Sequence, residues 1–141
     1  MAPAQTLRFG QMLIELGDGA TPVESFSRPC GLTSKQFSRK AQVGETNVPD
    51  CDDEDAPAHI ERDTTGFTTD ITGSGVVDAV DQATWEAWLA SGAKKNVRVT
   101  IGTNVWIVPS VLTDFTFTGT RGQKLTFNVA IAGSGAPTKI A

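Results

Sequence analysis

The sequence predicts a mostly β protein: two packed antiparallel sheets, sandwich- or barrel-like, flanked by one α-helix. Three observations carry this. Val111–Gly135 alternates apolar and polar residues around a glycine-rich turn, the period of a strand with one greasy and one wet face. Eighteen threonines and many valines bias the chain toward strands. Only Gln82–Ser91 has helical spacing, with Trp85, Trp88 and Leu89 at i, i+3 and i+4 on one apolar, packing face.

Taken in order, Met1–Gly10 reads as an N-terminal arm, with Leu7 and Phe9 as anchors. Gln11–Leu16 reads as a strand closed by Gly17-Asp18-Gly19, with Val23–Arg28 returning as its hairpin partner. Leu32–Val43 is extended and puts Lys35, Phe37 and Arg39 on one face. Gly44–Gly66 has no periodicity, holds five acids within Asp50–Asp55, and is bracketed there by Pro49 and Pro57. A loop of such length is uncommon in a compact domain and points to a functional segment ordered by a partner. Phe67–Val77 resumes the alternation, setting Phe67, Thr69 and Ile71 against Thr68, Asp70 and Thr72.

The helix follows, with Asp81 as the expected N-cap, Val80 and Trp85 as a hydrophobic staple, and Gly92 as the residue that ends it. At about ten residues it is too short to persist alone and must pack on the sheet. Val97–Ile101 and Val105–Val108 make a hairpin around Gly102-Thr103-Asn104, ended by Pro109. In the closing hairpin Val111, Thr113, Phe115 and Phe117 share one face, as do Leu125, Phe127, Val129 and Ile131. Ala132–Ala141 is a second arm, which leaves residues 11–131 as the β domain. Both arms, rich in Ala, Pro, Gly and Thr, have little to hold themselves, so neighbouring copies are expected to hold them.

A net charge of −4 argues against a broad nucleic-acid-binding face. No run approaches the roughly 18 apolar residues of a membrane span. Met1–Gly10 lacks the basic-then-apolar build of a secretory signal, so assembly in a cytoplasm is expected. Cys30 and Cys51 could form at most one bridge; two thiols are the default in a reducing compartment.

Chemistry finds little purchase. Asp50, Asp52, Glu54 and Glu61 stand at positions 1, 3, 5 and 12 of an EF-hand frame, but Asp55 occupies the position that must be glycine. His59, the sole histidine, sits in the least constrained segment. Neither cysteine has a second one two or three residues away, the spacing typical of cysteine zinc sites. The chain contains no phosphate-loop, zincin or nucleophile-elbow motif. No catalytic residue, metal or cofactor is expected. Trp85, Trp88 and Trp106 keep open an alternative, a β-sandwich module whose exposed tryptophans bind glycans.

Ile71-Thr72-Gly73-Ser74-Gly75-Val76 leads into the single helix, and Phe115–Gly119, Leu125–Val129 and Gly133-Ser134-Gly135 close the chain. In this order and spacing, with Cys30–Thr33 and Val48–Asp53, they resemble the major tail tube proteins of long, non-contractile-tailed phages and gene transfer agents. The resemblance covers roughly Leu13 to Gly135. It implies a structural virion protein with two packed sheets and one helix, forming hexameric rings whose inner strands line a lumen.

It also implies rings that stack through the arms and the long loop, here Val48, Pro49, Asp50, Asp52, Asp53, Glu54, Asp55 and Ile60. The implied partners are further copies of the chain, tail terminator and distal tail proteins at the ends, and a tape measure protein in the lumen before DNA. DNA would then pass without specific binding into the host cell. The two cysteines and the dense acids depart from the usual pattern.

The residues themselves agree. Two-faced strands suit a sheet continued by neighbours, because closing a ring abolishes exposed edges. A conduit should not grip its cargo, and each phosphate met by Lys or Arg adds affinity. Asp70, Thr72, Thr116, Thr126 and Asn128 are the expected lumen residues.

Overall fold

The structure, a computed structural model, describes residues 2–19 and 24–140. Its strands are β1 (Met12–Gly17), β2 (Phe26–Ser27), β3 (Leu32–Val48), β4 (His59–Val76), β5 (Lys95–Ile101), β6 (Asn104–Thr118), β7 (Thr126–Gly133) and β8 (Thr138–Lys139). One helix, α1 (Ala79–Ser91), follows β4, and a 3-10 turn at Phe9–Gln11 precedes β1. Hydrogen bonds join the strands in the order β2-β1-β5-β6-β7-β4-β3, with β8 pairing β6. The registered pairs are antiparallel. The chain divides into two compact units, residues 39–68 and the remainder.

In the larger unit, β6 makes the architecture. Its first half, Asn104–Ser110, pairs with β5, and its second half, Ser110–Thr118, pairs with β7. Hydrogen bonds thus run through one eight-stranded sheet, with β6 shared between its two halves. This answers the expectation that Pro109 ends a strand: β6 runs through it. Pro109 stands where the strand changes partner, and its carbonyl accepts from Ser134 N at 2.6 Å, so the missing N–H disrupts no continuous ladder.

A register shift between Leu112 and Asp114 then re-aims the side chains. Leu112 is buried, while Thr113 turns out and donates its hydroxyl to the Ala130 carbonyl at 2.9 Å. The expected apolar row of Val111, Thr113, Phe115 and Phe117 is thus broken at its first half. Leu125 likewise precedes β7 and is 45% exposed.

The core draws on both halves of the sheet: Ile14, Leu16, Val97 and Val99 from β1 and β5, and Ile71, Phe127, Val129 and Ile131 from β4 and β7. Trp85 and Trp88 of α1 complete it, with Trp85 stacked on Phe115 at 6.0 Å. Leu89, expected beside them, is 41% exposed. The Trp88 indole N–H donates to the Ala93 carbonyl at 2.8 Å, tying the helix end to its own exit.

The helix begins one turn earlier than expected. Asp78, not Asp81, is the N-cap, accepting from Val80 N at 3.0 Å. Val80 is 79% exposed, so no staple forms with Trp85. Asp81 instead reaches across the fold and accepts from Cys30 N at 2.6 Å. Gly92 ends the helix in the left-handed conformation, as expected.

The smaller unit holds the outer parts of β3 and β4 and the connection between them. The expected long loop Gly44–Gly66 is shorter: β3 continues to Val48 and β4 resumes at His59, leaving Pro49–Ala58 as the loop. Nearly every residue of these strand segments is exposed, so no buried face imposed an alternation on the sequence. Thr65 Oγ1 donates to the Gln42 carbonyl at 3.2 Å, and Arg62 pairs with Glu45 at 3.1 Å, within the unit. The return strand expected at Val23–Arg28 is reduced to Phe26–Ser27, and Val23 lies outside the described residues.

Candidate conduit face and assembly surfaces

Where β4, β7 and β6 run side by side, pairing lines up their outward residues in rows. Ser74, Asn128 and Thr116 form one row, and Thr72, Ala130 and Asp114 the next. Thr126 stands between Val76 and Thr118. Asp70, two residues before Thr72, shares this face by alternation. On β3, Gln36 joins it by accepting from the Thr72 hydroxyl at 3.4 Å. Ser34, Thr72, Ser74, Asp114 and Asn128 line one shallow hollow.

The chemistry of this face is uniform. It presents hydroxyls, amides and two carboxylates, and no lysine or arginine occurs in 70–76, 114–118 or 126–132. Its polar groups also satisfy one another: Thr116 donates to Asp114 at 2.7 Å and Thr126 to the Thr118 carbonyl at 3.3 Å. Where β4, β7 and β6 run side by side the face is therefore held in place, mildly negative and without a lysine or arginine for phosphate. All five expected lumen residues, Asp70, Thr72, Thr116, Thr126 and Asn128, fall on it.

The opposite face of the same strands carries Ile71, Phe127, Val129, Ile131, Phe115 and Phe117 in one core with the helix tryptophans and the apolar residues of β1 and β5. Two glycines of the Ile71–Val76 motif serve this packing. A Cβ on Gly73 would press Leu32 at 3.0 Å, and one on Gly75 would overlap the Gly31 carbonyl. The sequence showed a glycine-rich strand end; the crossing of Gly31–Leu32 over it is what needs the glycines.

Elsewhere the expected site residues divide. In the loop, Asp50 accepts from Asp52 N at 2.9 Å and Asp53 from Asp55 N at 3.2 Å, so these acids shape their own turns. Val48 and Ile60, flanking the loop, are 36% and 50% exposed. His59 is an exposed residue opening β4. Cys30 and Cys51 are both free and exposed, so the possible bridge is not made.

Sequence reasoning missed one cluster: ligand atoms of Cys30, Asp78 and Asp81 lie within 4.8 Å of one another. No spacing signal joins Cys30 to that helix start, since the contact is made by the fold. Both carboxylates accept from backbone amides there, which gives the cluster a structural job.

The tryptophans do not form a sugar platform. Trp85 and Trp88 are buried, and Trp106 packs on Phe37 at 5.8 Å with Lys139 Nζ 5.9 Å from its ring centre. On the arms, Leu7, Phe9 and Ile140 are 58%, 54% and 55% exposed. The fold thus presents a sealed core, a polar sheet face and apolar side chains exposed on its arms.

The sequence places the chain in a family. The model of the phage tail tube protein family matches residues 6–139, and the chain belongs to that family. Its fold is similar to the tail of an empty gene transfer agent particle refined with C6 symmetry. That match has a TM-score of 0.79 and 19% identity, covering 98% of this chain and 100% of the other. A chain from the virion of a native gene transfer agent gives 0.77 and 20%, covering 98% and 100%. The SPP1 tail tube gives 0.63 and 10%, covering 95% of this chain and 78% of the other. No curated protein matches the sequence.

Proposed function

We propose that this chain closes into sixfold rings that stack into a tail tube, and that the polar face of β3, β4, β7 and β6 lines the lumen. The role is structural, without a catalytic step. The observation that carries the reading is the polar face of β4, β7 and β6, free of lysine and arginine where these strands run side by side, read together with family membership. DNA carries a dense line of phosphates, and a wall that neutralised them would hold it by counterion release. A wall of hydroxyls, amides, Asp70 and Asp114 offers hydration and weak repulsion instead.

The C6 symmetry of the gene transfer agent tail supports the ring number for this chain. The arms and the loop with Val48, Pro49, Asp50, Asp52, Asp53, Glu54, Asp55 and Ile60 are the stacking elements in this reading. The ends of such a tube would meet terminator and distal tail proteins, with a tape measure protein filling the lumen before DNA. Cells of the producing host would hold the free subunit, and the virion tail the assembled one.

Tubes assembled from Thr116→Lys/Asn128→Lys protein test the assignment. They should retain short duplex DNA at low salt and release it as salt rises, while wild-type tubes retain none. Wild-type tubes that bind DNA, or lysine-bearing tubes that do not, would remove these strands from the lumen.

A further inference from the structure

The polar face carries opposite charges at its two ends. Its carboxylates, Asp114 and Asp70, stand in register with Ala130 and Ala132 near the close of β7. Two cations, Arg121 and Lys124, lie at the other end, in the connection 119–125 between β6 and β7. There Gln123 N donates to the Thr120 carbonyl at 3.1 Å, and Gly122, with φ 85°, takes the third position of the turn. Arg121 is thereby set at the tip. Val77 N donates to the Leu125 carbonyl at 3.0 Å, carrying the β4–β7 pairing one step past Thr126. Alternation then puts Lys124 in the row of Thr126 and Asn128. Both cations are exposed, and among the described residues neither has an ion pair. No acid follows Asp114 in the chain.

From Lys124 to Ala130 the strand advances roughly 20 Å, and to Ala132 roughly 27 Å, at about 3.4 Å per residue. A lysine or arginine side chain does not span that gap, so the two ends of one face cannot meet each other. Yet cations left open at the rim of a conduit would hold phosphate. We infer that the β6–β7 tip of one copy seats on the acidic end of the polar face of the next copy along the tube, Arg121 and Lys124 against Asp114 and Asp70. The inference rests on the lumen reading proposed above and names the joint where one copy's wall meets the next.

Such a joint is head-to-tail, and contacts of that kind propagate along a line when rotation does not close them. It also gives the stack a direction, because a copy turned end for end would set cations against cations. Asp114 already accepts from Thr116 through Oδ1, which orients the carboxylate and leaves Oδ2 for the arriving cation. Exposed ion pairs are weak one at a time and are screened by salt, so the joint draws its strength from repetition around the ring.

A zero-length cross-link tests the contact in the wild-type chain. A water-soluble carbodiimide joins an amine only to a carboxylate that touches it. In assembled tubes, peptide mapping should find Lys124 joined to Asp114 or Asp70, and in dilute monomers it should not. Lys124 left unlinked in tubes, or linked only to other carboxylates, overturns the inference.

Charge exchange supplies a second reading. Arg121→Glu/Lys124→Glu and Asp70→Lys/Asp114→Lys should each raise the critical concentration for tube growth roughly tenfold, the scale of losing interfacial charge pairs. All four substitutions in one chain should restore growth, which a variant damaged in its own fold would not do. Growth of either double variant like wild type, or a fourfold variant no better than the doubles, also overturns the joint. Tubes that lack the cross-link strike the joint alone. Tubes that form it but fail the DNA-retention test above strike the lumen reading and leave the contact standing.

Discussion

Gly75 lies directly against Gly31: Val76 N donates to the Gly31 carbonyl at 2.9 Å, and a Cβ on either glycine would overlap the other segment's backbone. Gly31 also holds a φ of 91°, which side chains rarely adopt. The start of β3 is thereby pinned to the end of β4, immediately before the helix that seals the core.

Gly75→Ala should therefore cost about 3 kcal/mol or more, because the obstacle is backbone that cannot swing aside. Gly10→Ala, where a Cβ would meet nothing within 4 Å, should stay within about 0.5 kcal/mol. Urea unfolding of the two variants makes the comparison. Equal midpoints would contradict the close crossing.

The two aspartates at the helix start have separate duties, and amide exchange can tell them apart. Asp78→Ala should speed exchange at Val80 and lower stability by about 1 kcal/mol through loss of the cap. Asp81→Ala should leave Val80 protected and speed exchange at Cys30 instead. The opposite pattern would restore Asp81 as the cap.

Lys35 gives the fold a pH dependence. Burial, and secondarily the Arg28 charge, lowers its pKa from the usual 10.5, while its ammonium donates to the Met12 carbonyl at 2.7 Å and sits 4.2 Å from the Phe9 ring centre. The unfolded chain then binds more protons between the lowered value and 10.5, so stability should rise with pH through that window. Lys35→Met should flatten the rise, as read by thermal unfolding at stepped alkaline pH. An identical slope in both proteins would show that Lys35 does not carry it.

Much of this was legible in the residues. The inward row Phe127, Val129 and Ile131 followed from alternation because one face of β7 is buried and the other wet. Gly92 followed from helix-end chemistry, which is local. The misreadings occur where the cause is not local. Pro109 looked like a strand end because its breaker character is visible, whereas the change of partner that accommodates it is a property of the sheet.

The bulge after Leu112 switched faces without any sequence mark, since Thr113 suits either side. The outer β3–β4 hairpin escaped notice for a different reason. With both faces exposed, its residues were free of the period that burial imposes.

Replacing Pro49–Pro57 by Asn-Gly, a two-residue turn that suits the flanking strands, should keep the hairpin and the core. The melting temperature should move by only a few degrees, because none of the removed residues is buried. Polymerisation should stop. Normal tubes from this protein would relieve the loop of any stacking role.

The most direct measurement is electron microscopy of the purified chain at rising concentration. Hollow cylinders with sixfold end views, their inner wall formed by the strands bearing Thr72, Thr116 and Asn128, are the expected result. A protein that stays monomeric at every concentration and salt condition, with that polar face open to bulk solvent, would contradict the account.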